Sequence, residues 1–342
     1  MNPETLGHGE FKLCVSVPPC SNPILSHSHK LSMSIKSVKE ISDLLLTQGY
    51  IPDEAIAMSI HLSMLLKKPL LIEGPAGVGK TEIAKVMSKA LNTNLIRLQC
   101  YEGLDANQAI YEWNYQRQLL YLKMQEQSDL SIKEKEQHIF GDDFLMERPL
   151  LKSIMAEKSQ VLLLDEMDRA DEEFESFFLE LLSDWQISIP EIGTKKAKSI
   201  PYVIVTSNRI RELSEALRRR CLYLWIDYPT FEKELSIVHA KLPNINKDLA
   251  TEICKFMKEL RQMKLEKQPG IAETLDWATA LSAMHIDHLE KNIVESTLGV
   301  ILKDWQDVRN AQMSLQELFD KVGVVSKAVS YTHLTLPTIL LV

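Results

Sequence analysis

The run Gly74, Pro75, Ala76, Gly77, Val78, Gly79, Lys80, Thr81 has the spacing G-x-x-x-x-G-K-T. Glycines let backbone amides close around a phosphate at a helix N-terminus, Lys80 is placed to neutralise β/γ charge, and Thr81 offers a hydroxyl to Mg2+. The chemistry implied is binding of ATP with Mg2+. Hydrolysis would need a further carboxylate on the metal side and a group that activates water. An apolar run from Val161 to Leu164 ends in Asp165 and Glu166, which offers both at one strand end. Asp165 would hold Mg2+ through its water shell and Glu166 would serve as general base. Asn208, closing the apolar run 202–207, has an amide that could orient the attacking water from an adjacent strand, or could cap a turn. Arg218, Arg219 and Arg220 precede a last apolar run. Three adjacent arginines are ordinarily a solvated basic face.

Those residues need a scaffold that brings distant strand ends together. Short apolar runs at 69–72, 95–98, 161–164, 202–206 and 222–226 alternate with helical patterns. This predicts an α/β fold with a five-stranded, three-layer parallel sheet covered on both faces. The phosphate loop falls between the first strand and a helix whose buried face includes Ile83, Met87 and Leu91. Phe174, Phe177, Phe178, Leu181, Leu182 and Trp185 recur at helical spacing and read as core. A nucleotide-binding unit is expected over 33–228 and a small all-α lid over 229–326. The lid's expected apolar stripes are Ile253, Phe256, Met257 and Leu260, then Trp277, Leu281 and Met284, then Val294, Leu298, Ile301 and Trp305. Residues 1–32, with four prolines and three histidines, read either as an N-terminal extension or as sequence ahead of a true start at Met33. Residues 327–342 break the preceding pattern and resemble translated adapter sequence; no mechanism is assigned to them.

Length and composition narrow the partners. At roughly 150 residues per domain, 342 residues suggest two domains, and 45% apolar content can bury a sizeable core. The formal net charge of -8 disfavours nucleic acid as a partner. Five scattered cysteines match neither a disulfide framework nor paired zinc ligands, which suggests a reducing, cytoplasmic setting. No run approaches the roughly 18 apolar residues of a membrane span, and the N-terminus lacks the pattern of a secretory signal.

The order of phosphate loop, Asp-Glu strand, Asn strand, arginines, fifth strand and helical unit resembles AAA+ ATPases across about residues 40–305. Four strings narrow it: LQCYEGLD at 98–105, YEWNY at 111–115, DEEF at 171–174 and RCLYLWIDY at 220–228. They are similar to the MoxR family, specifically its CoxD-like branch associated with molybdenum carbon monoxide dehydrogenases. The resemblance implies a hexameric, chaperone-like ATPase that works with a von Willebrand factor A domain protein and helps mature a metalloenzyme client. It also implies that Arg220, with Arg219 second, reaches the γ-phosphate of a neighbouring subunit, and that Gln99 holds Glu166 inactive until a partner engages. Residues 104–150 and a hairpin at 186–199 with Lys195, Lys196 and Lys198 near its tip would face a ring pore. The family's helical-domain arginine meets Ala272, Glu273 and Thr274 here, so that sensor is missing. Two other readings remain: a slow nucleotide-dependent binding switch, and a DNA-remodelling ATPase. A GTPase is disfavoured because Asn246, Lys247 and Asp248 set the carboxylate one residue too early for an NKxD contact.

Overall fold

A computed structural model describes residues 37–125 and 131–323. The expectations for residues 1–32 and 327–342 lie outside the described residues. The described chain begins with α1 (Val38–Thr47), α2 (Glu54–Leu66), β1 (Leu70–Glu73), α3 (Lys80–Ala90) and β2 (Leu95–Gln99). It continues through α4 (Ala106–Ile110), β3 (Tyr111–Trp113), α5 (Tyr115–Met124), α6 (Ile132–Ile139), β4 (Leu145–Glu147), α7 (Pro149–Met155) and β5 (Val161–Asp165). Next come α8 (Glu172–Asp184), β6 (Gln186–Ile189), β7 (Gly193–Lys196), β8 (Tyr202–Ser207), α9 (Glu215–Arg220) and β9 (Leu222–Trp225). Six helices follow: α10 (Phe231–Lys241), α11 (Lys247–Leu260), α12 (Ile271–Ala283), α13 (Lys291–Ile301), α14 (Trp305–Met313) and α15 (Leu315–Val322).

The five expected strands pair in the order β2-β5-β8-β1-β9, every pair parallel. Successive side chains of a strand point to opposite faces, so a strand covered on both sides must be apolar throughout. Leu162, Leu164, Val203 and Val205 accordingly pack with α7, α8 and α9, whereas Val161, Leu163 and Ile204 pack with α1, α2 and α3. The order sets the carboxyl ends of β1, β8 and β5 side by side, the place where open α/β sheets collect ligands. α1 enters through a capping box: Glu40 N–H donates to Ser37 Oγ (3.2 Å) and Ser37 N–H to Glu40 Oε2 (3.1 Å).

The helices from α10 onward share a separate apolar core in which Trp277, Phe256 and Leu281 are fully buried. Two expected members of its stripes are not there. Met284 is the C-cap of α12 and 53% exposed, and Trp305 is the first residue of α14 and 66% exposed. In both cases the apolar period runs on past the point where the helix ends.

The segment between β2 and β5 adds an antiparallel pair, β3 with β4, that periodicity did not reveal. Its aromatics largely pack on one another: Trp113 meets Tyr111 and Phe140 edge to face, Tyr121 meets Phe144, and Tyr115 is exposed. β6 and β7 form the expected hairpin, but its lysines are not at the tip. Lys195 pairs with Ile187 and Lys196 with Gln186, near the open end, and Lys195 Nζ forms an ion pair with Asp142 (2.7 Å).

Candidate nucleotide site

β1 delivers the chain into the phosphate loop at a point where only glycine fits. Gly74 has φ +157°, and a Cβ there would sit 2.0 Å from the Ile226 carbonyl oxygen. Gly77 (φ +78°) and Gly79 (φ +92°) take left-handed conformations that let the loop turn its amides inward. Gly79 caps α3, so Lys80 and Thr81 are the first residues of that helix. The Lys80 ammonium is buried and donates to the carbonyls of Gly74 (2.8 Å) and Pro75 (2.6 Å). Burial lowers its pKa to about 8, against the opposing pull of Asp168, Asp165 and Glu166.

Asp165 closes β5 with its carboxylate buried. Its Oδ1 accepts from the Thr81 hydroxyl (2.9 Å) and the Thr206 hydroxyl (2.6 Å). Its Oδ2 accepts two bonds from Arg97, from Nε at 3.0 Å and Nη2 at 2.6 Å. Thr81 gives its proton to Asp165 and keeps its oxygen lone pairs, so the pair presents the hard oxygen donors that Mg2+ prefers. Among the described residues no cluster of three or more His, Cys, Asp or Glu is arranged to hold a metal.

Glu166 follows in the left-handed region (φ +57°), its N–H donating to Thr206 Oγ1 (3.0 Å) and its carboxylate paired with Arg169 (2.7 Å). A non-glycine residue held there is strained, which is common at functional turns. Asn208 lines the same cavity just past β8, its N–H donating to Asp168 Oδ2 (3.1 Å). Gln99 does not reach Glu166 by hydrogen bond: its side-chain oxygen accepts from Arg97 Nη2 (2.6 Å), and Glu166 is engaged by Arg169. The expected Gln99–Glu166 contact is thus replaced by two arginine contacts.

The cavity measures about 500 Å3, and its walls come from the phosphate loop, the turn at Tyr50, Ile226, and the α12 residues Ile271, Ala272 and Leu275. The start of α12 docks directly on the loop, with Ile271 N–H donating to the Gly77 carbonyl (2.9 Å). Lys233 and Lys241 of α10 add cationic groups to the wall; Lys241 pairs with Glu82 (3.5 Å) and Lys233 with Asp53. Arg220 is not part of this lining. It ends α9, exposed, with its guanidinium on the Ala216 carbonyl (3.2 Å), while Arg219 pairs with Glu215.

Arg97, Thr206, Asp168 and Arg169 were missed by sequence reasoning. Arg97 did leave a trace: it is a charged residue inside an apolar strand, on the same face as Gln99. Asp168 left none, since one acidic residue in a turn does not announce that it is buried.

Residues 69–221 match the family described as AAA domain, dynein-related subfamily. That stretch runs from β1 to the end of α9 and contains all the candidate site residues. The α/β unit has the P-loop AAA+ fold. The chain is 24% identical over 272 residues to the uncharacterized protein SH1500 of Staphylococcus haemolyticus, covering 76% of this chain and 95% of that one. Among solved structures, the RuvB Holliday junction branch migration motor of Thermotoga maritima aligns at 19% identity and TM-score 0.42, covering 79% of this chain and 80% of that one. A proline-to-glycine mutant of the same motor aligns at 18% identity and TM-score 0.45, covering 81% and 83%.

Proposed function

We propose that this chain is an ATP-hydrolysing AAA+ ring ATPase of MoxR type that remodels a protein client. The observation that carries the ATPase reading is the Thr81–Asp165 hydrogen bond at the mouth of a phosphate loop whose lysine is buried, within one cavity that also holds Glu166 and Asn208. Lys80 binds the β/γ-phosphates, and the amides of the loop from Gly74 to Gly79 surround them. Mg2+, when bound, neutralises charge on the β- and γ-oxygens; Thr81 and Asp165 are the residues that would hold it. Glu166 takes a proton from the attacking water and Asn208 orients that water. Arg220 lies outside the lining of its own chain's cavity, which supports a role on a neighbouring subunit's γ-phosphate, and hence a homo-oligomer, most simply the hexamer of the MoxR family.

The family resemblance adds a von Willebrand factor A domain partner and a metalloenzyme client of the molybdenum hydroxylase class, acting in the cytoplasm. The net charge of -8 favours protein over nucleic acid as what the ring acts on. Among the described residues no helix is long and apolar enough to cross a membrane. A second reading, a slow nucleotide-dependent switch, is favoured by one observation: Ala272 and Glu273 occupy the start of α12, against the phosphate loop, where the family sensor would carry an arginine.

The test is nucleotide binding beside steady-state hydrolysis. Lys80→Ala should abolish ATP binding, whereas Glu166→Gln should keep binding and lose hydrolysis by about 100-fold or more. Equal loss of nucleotide affinity in both variants would contradict the assigned roles. Turnover that stays slow until a von Willebrand factor A domain partner is added would select the switch.

A further inference from the structure

Asp165 accepts four hydrogen bonds on its two oxygens, as many as a carboxylate has lone-pair directions for. If this carboxylate is to meet the hydration shell of Mg2+, one donor has to leave. Thr206 is fully buried and also accepts from the Glu166 N–H, so it is fixed between two groups. Thr81 has no need to leave, because its donated proton leaves its oxygen free toward the cation. Arg97 is different. Its side chain is 50% exposed on the edge strand β2, and its guanidinium alone occupies Oδ2. A half-solvated arginine loses little by swinging into water, whereas Thr206 is held in β8 and Thr81 in the first turn of α3.

We propose that Arg97 is a latch on the magnesium-side carboxylate, holding Asp165 Oδ2 until Mg2+ arrives with the nucleotide and yielding that oxygen to the cation's hydration shell. The inference rests on the ATP-site reading given above. While latched, the guanidinium cancels the negative charge that Asp165 would otherwise turn toward an incoming triphosphate. Arg97 therefore supports metal-free nucleotide binding and competes with Mg2+. Removing it should act on the two states in opposite directions, raising the coupling between Mg2+ and nucleotide.

The experiment is calorimetric titration of the full chain with the β,γ-imido analogue of ATP, in EDTA and in Mg2+, for the parent protein, Arg97→Ala and Arg97→Lys. The ratio of Kd without Mg2+ to Kd with Mg2+ should rise at least about fivefold in Arg97→Ala. Arg97→Lys, which keeps the charge and loses the two-pronged contact, should fall between the two. A merely structural arginine would weaken both affinities together and leave the ratio where it was. An unchanged ratio in variants that still bind would overturn the latch and leave the site reading intact. So would loss of Mg2+-dependent binding in a variant whose circular dichroism is native, since a latch is dispensable once the cation is present. Failure of the parent protein to bind the analogue would overturn the site reading, and the latch with it.

Discussion

Asp168 does not line the cavity, yet it joins two of its walls. It sits two residues after Glu166, is 3% exposed, and its Oδ2 accepts from the N–H groups of Asn208 (3.1 Å) and Ile210 (2.9 Å). Among the described residues its Oδ1 has no hydrogen-bond partner. The turn that carries Glu166 and the turn that carries Asn208 are thereby locked at one separation. Asp168→Ala would orphan two N–H groups at a cost of about 1–3 kcal/mol and let Asn208 drift. ATPase kcat should fall by about tenfold or more while nucleotide affinity stays near that of the parent, because a small misplacement costs rate before binding. Asp168→Asn retains an accepting oxygen and should recover most of the rate; steady-state kinetics beside a thermal melt would separate this from general destabilisation. The thiols offer a second check at this scale. Burial pushes Cys100, Cys221 and Cys254 up to about 12, far above the pKa of about 8.5 of a free thiol. Each should resist iodoacetamide at pH 8 in the native protein and react once the chain is unfolded, as read residue by residue in peptide mass maps.

At the scale of elements, the phosphate loop and the start of α12 meet backbone to backbone. A Cβ on Gly270 would lie 2.7 Å from the Cα of Gly77, backbone against backbone, with no flexible side chain able to give way. Gly270→Ala should therefore lift α12 off the loop, costing about 1–3 kcal/mol in a thermal or denaturant melt and weakening ATP binding measured by titration. Deeper in the helical part, Glu234 accepts two bonds from Arg261 (both 2.7 Å) and one from the Thr274 hydroxyl (2.7 Å), with both charged side chains at least nine-tenths buried. Glu234→Ala strands that guanidinium and should cost about 3–5 kcal/mol in the same melt. Neither arrangement is legible in the sequence, because both depend on groups that approach from far apart along the chain. Strand identity and the parallel sheet were legible, since a strand buried on both faces must be apolar at every position, as 161–164 is. Lys195, Lys196 and Lys198 are expected near the hairpin tip, but pairing register, which composition does not encode, puts Pro190, Glu191 and Ile192 there. Met284 and Trp305 fit a helical period numerically and fail because each marks a helix boundary. The phosphate loop was legible for a different reason: its chemistry is local, eight consecutive residues with a strand before and a helix after. Asp165's company was not, because Arg97, Thr81 and Thr206 converge from three other elements.

For the whole molecule the proposed function turns on a site that one chain alone would not complete. The cavity is lined by Lys80, Thr81, Asp165, Glu166 and Asn208, while Arg220, the arginine proposed for the γ-phosphate, lies outside that lining at the exposed end of α9. If Arg220 acts across an interface, each subunit contributes a pocket on one side and an arginine on the other, a head-to-tail arrangement that closes as a ring. ATP with Mg2+ should then drive the Glu166→Gln protein to several times the monomer mass in light scattering. Arg220→Ala should bind ATP nearly as the parent does and hydrolyse it poorly, and Arg218→Ala should matter much less. Mixing gives the sharper test. Subunits carrying Arg220→Ala and subunits carrying Glu166→Gln should each hydrolyse ATP poorly alone. Where an Arg220→Ala pocket meets the intact arginine of a Glu166→Gln neighbour, every group is present. In a random equal mixture that describes about a quarter of the interfaces, so activity should return to roughly that fraction of the parent's, provided each interface acts independently. Mixed rings that assemble and recover nothing would remove Arg220 from the neighbour's site, and a protein that stays monomeric with ATP at high concentration would remove the reason for placing it there.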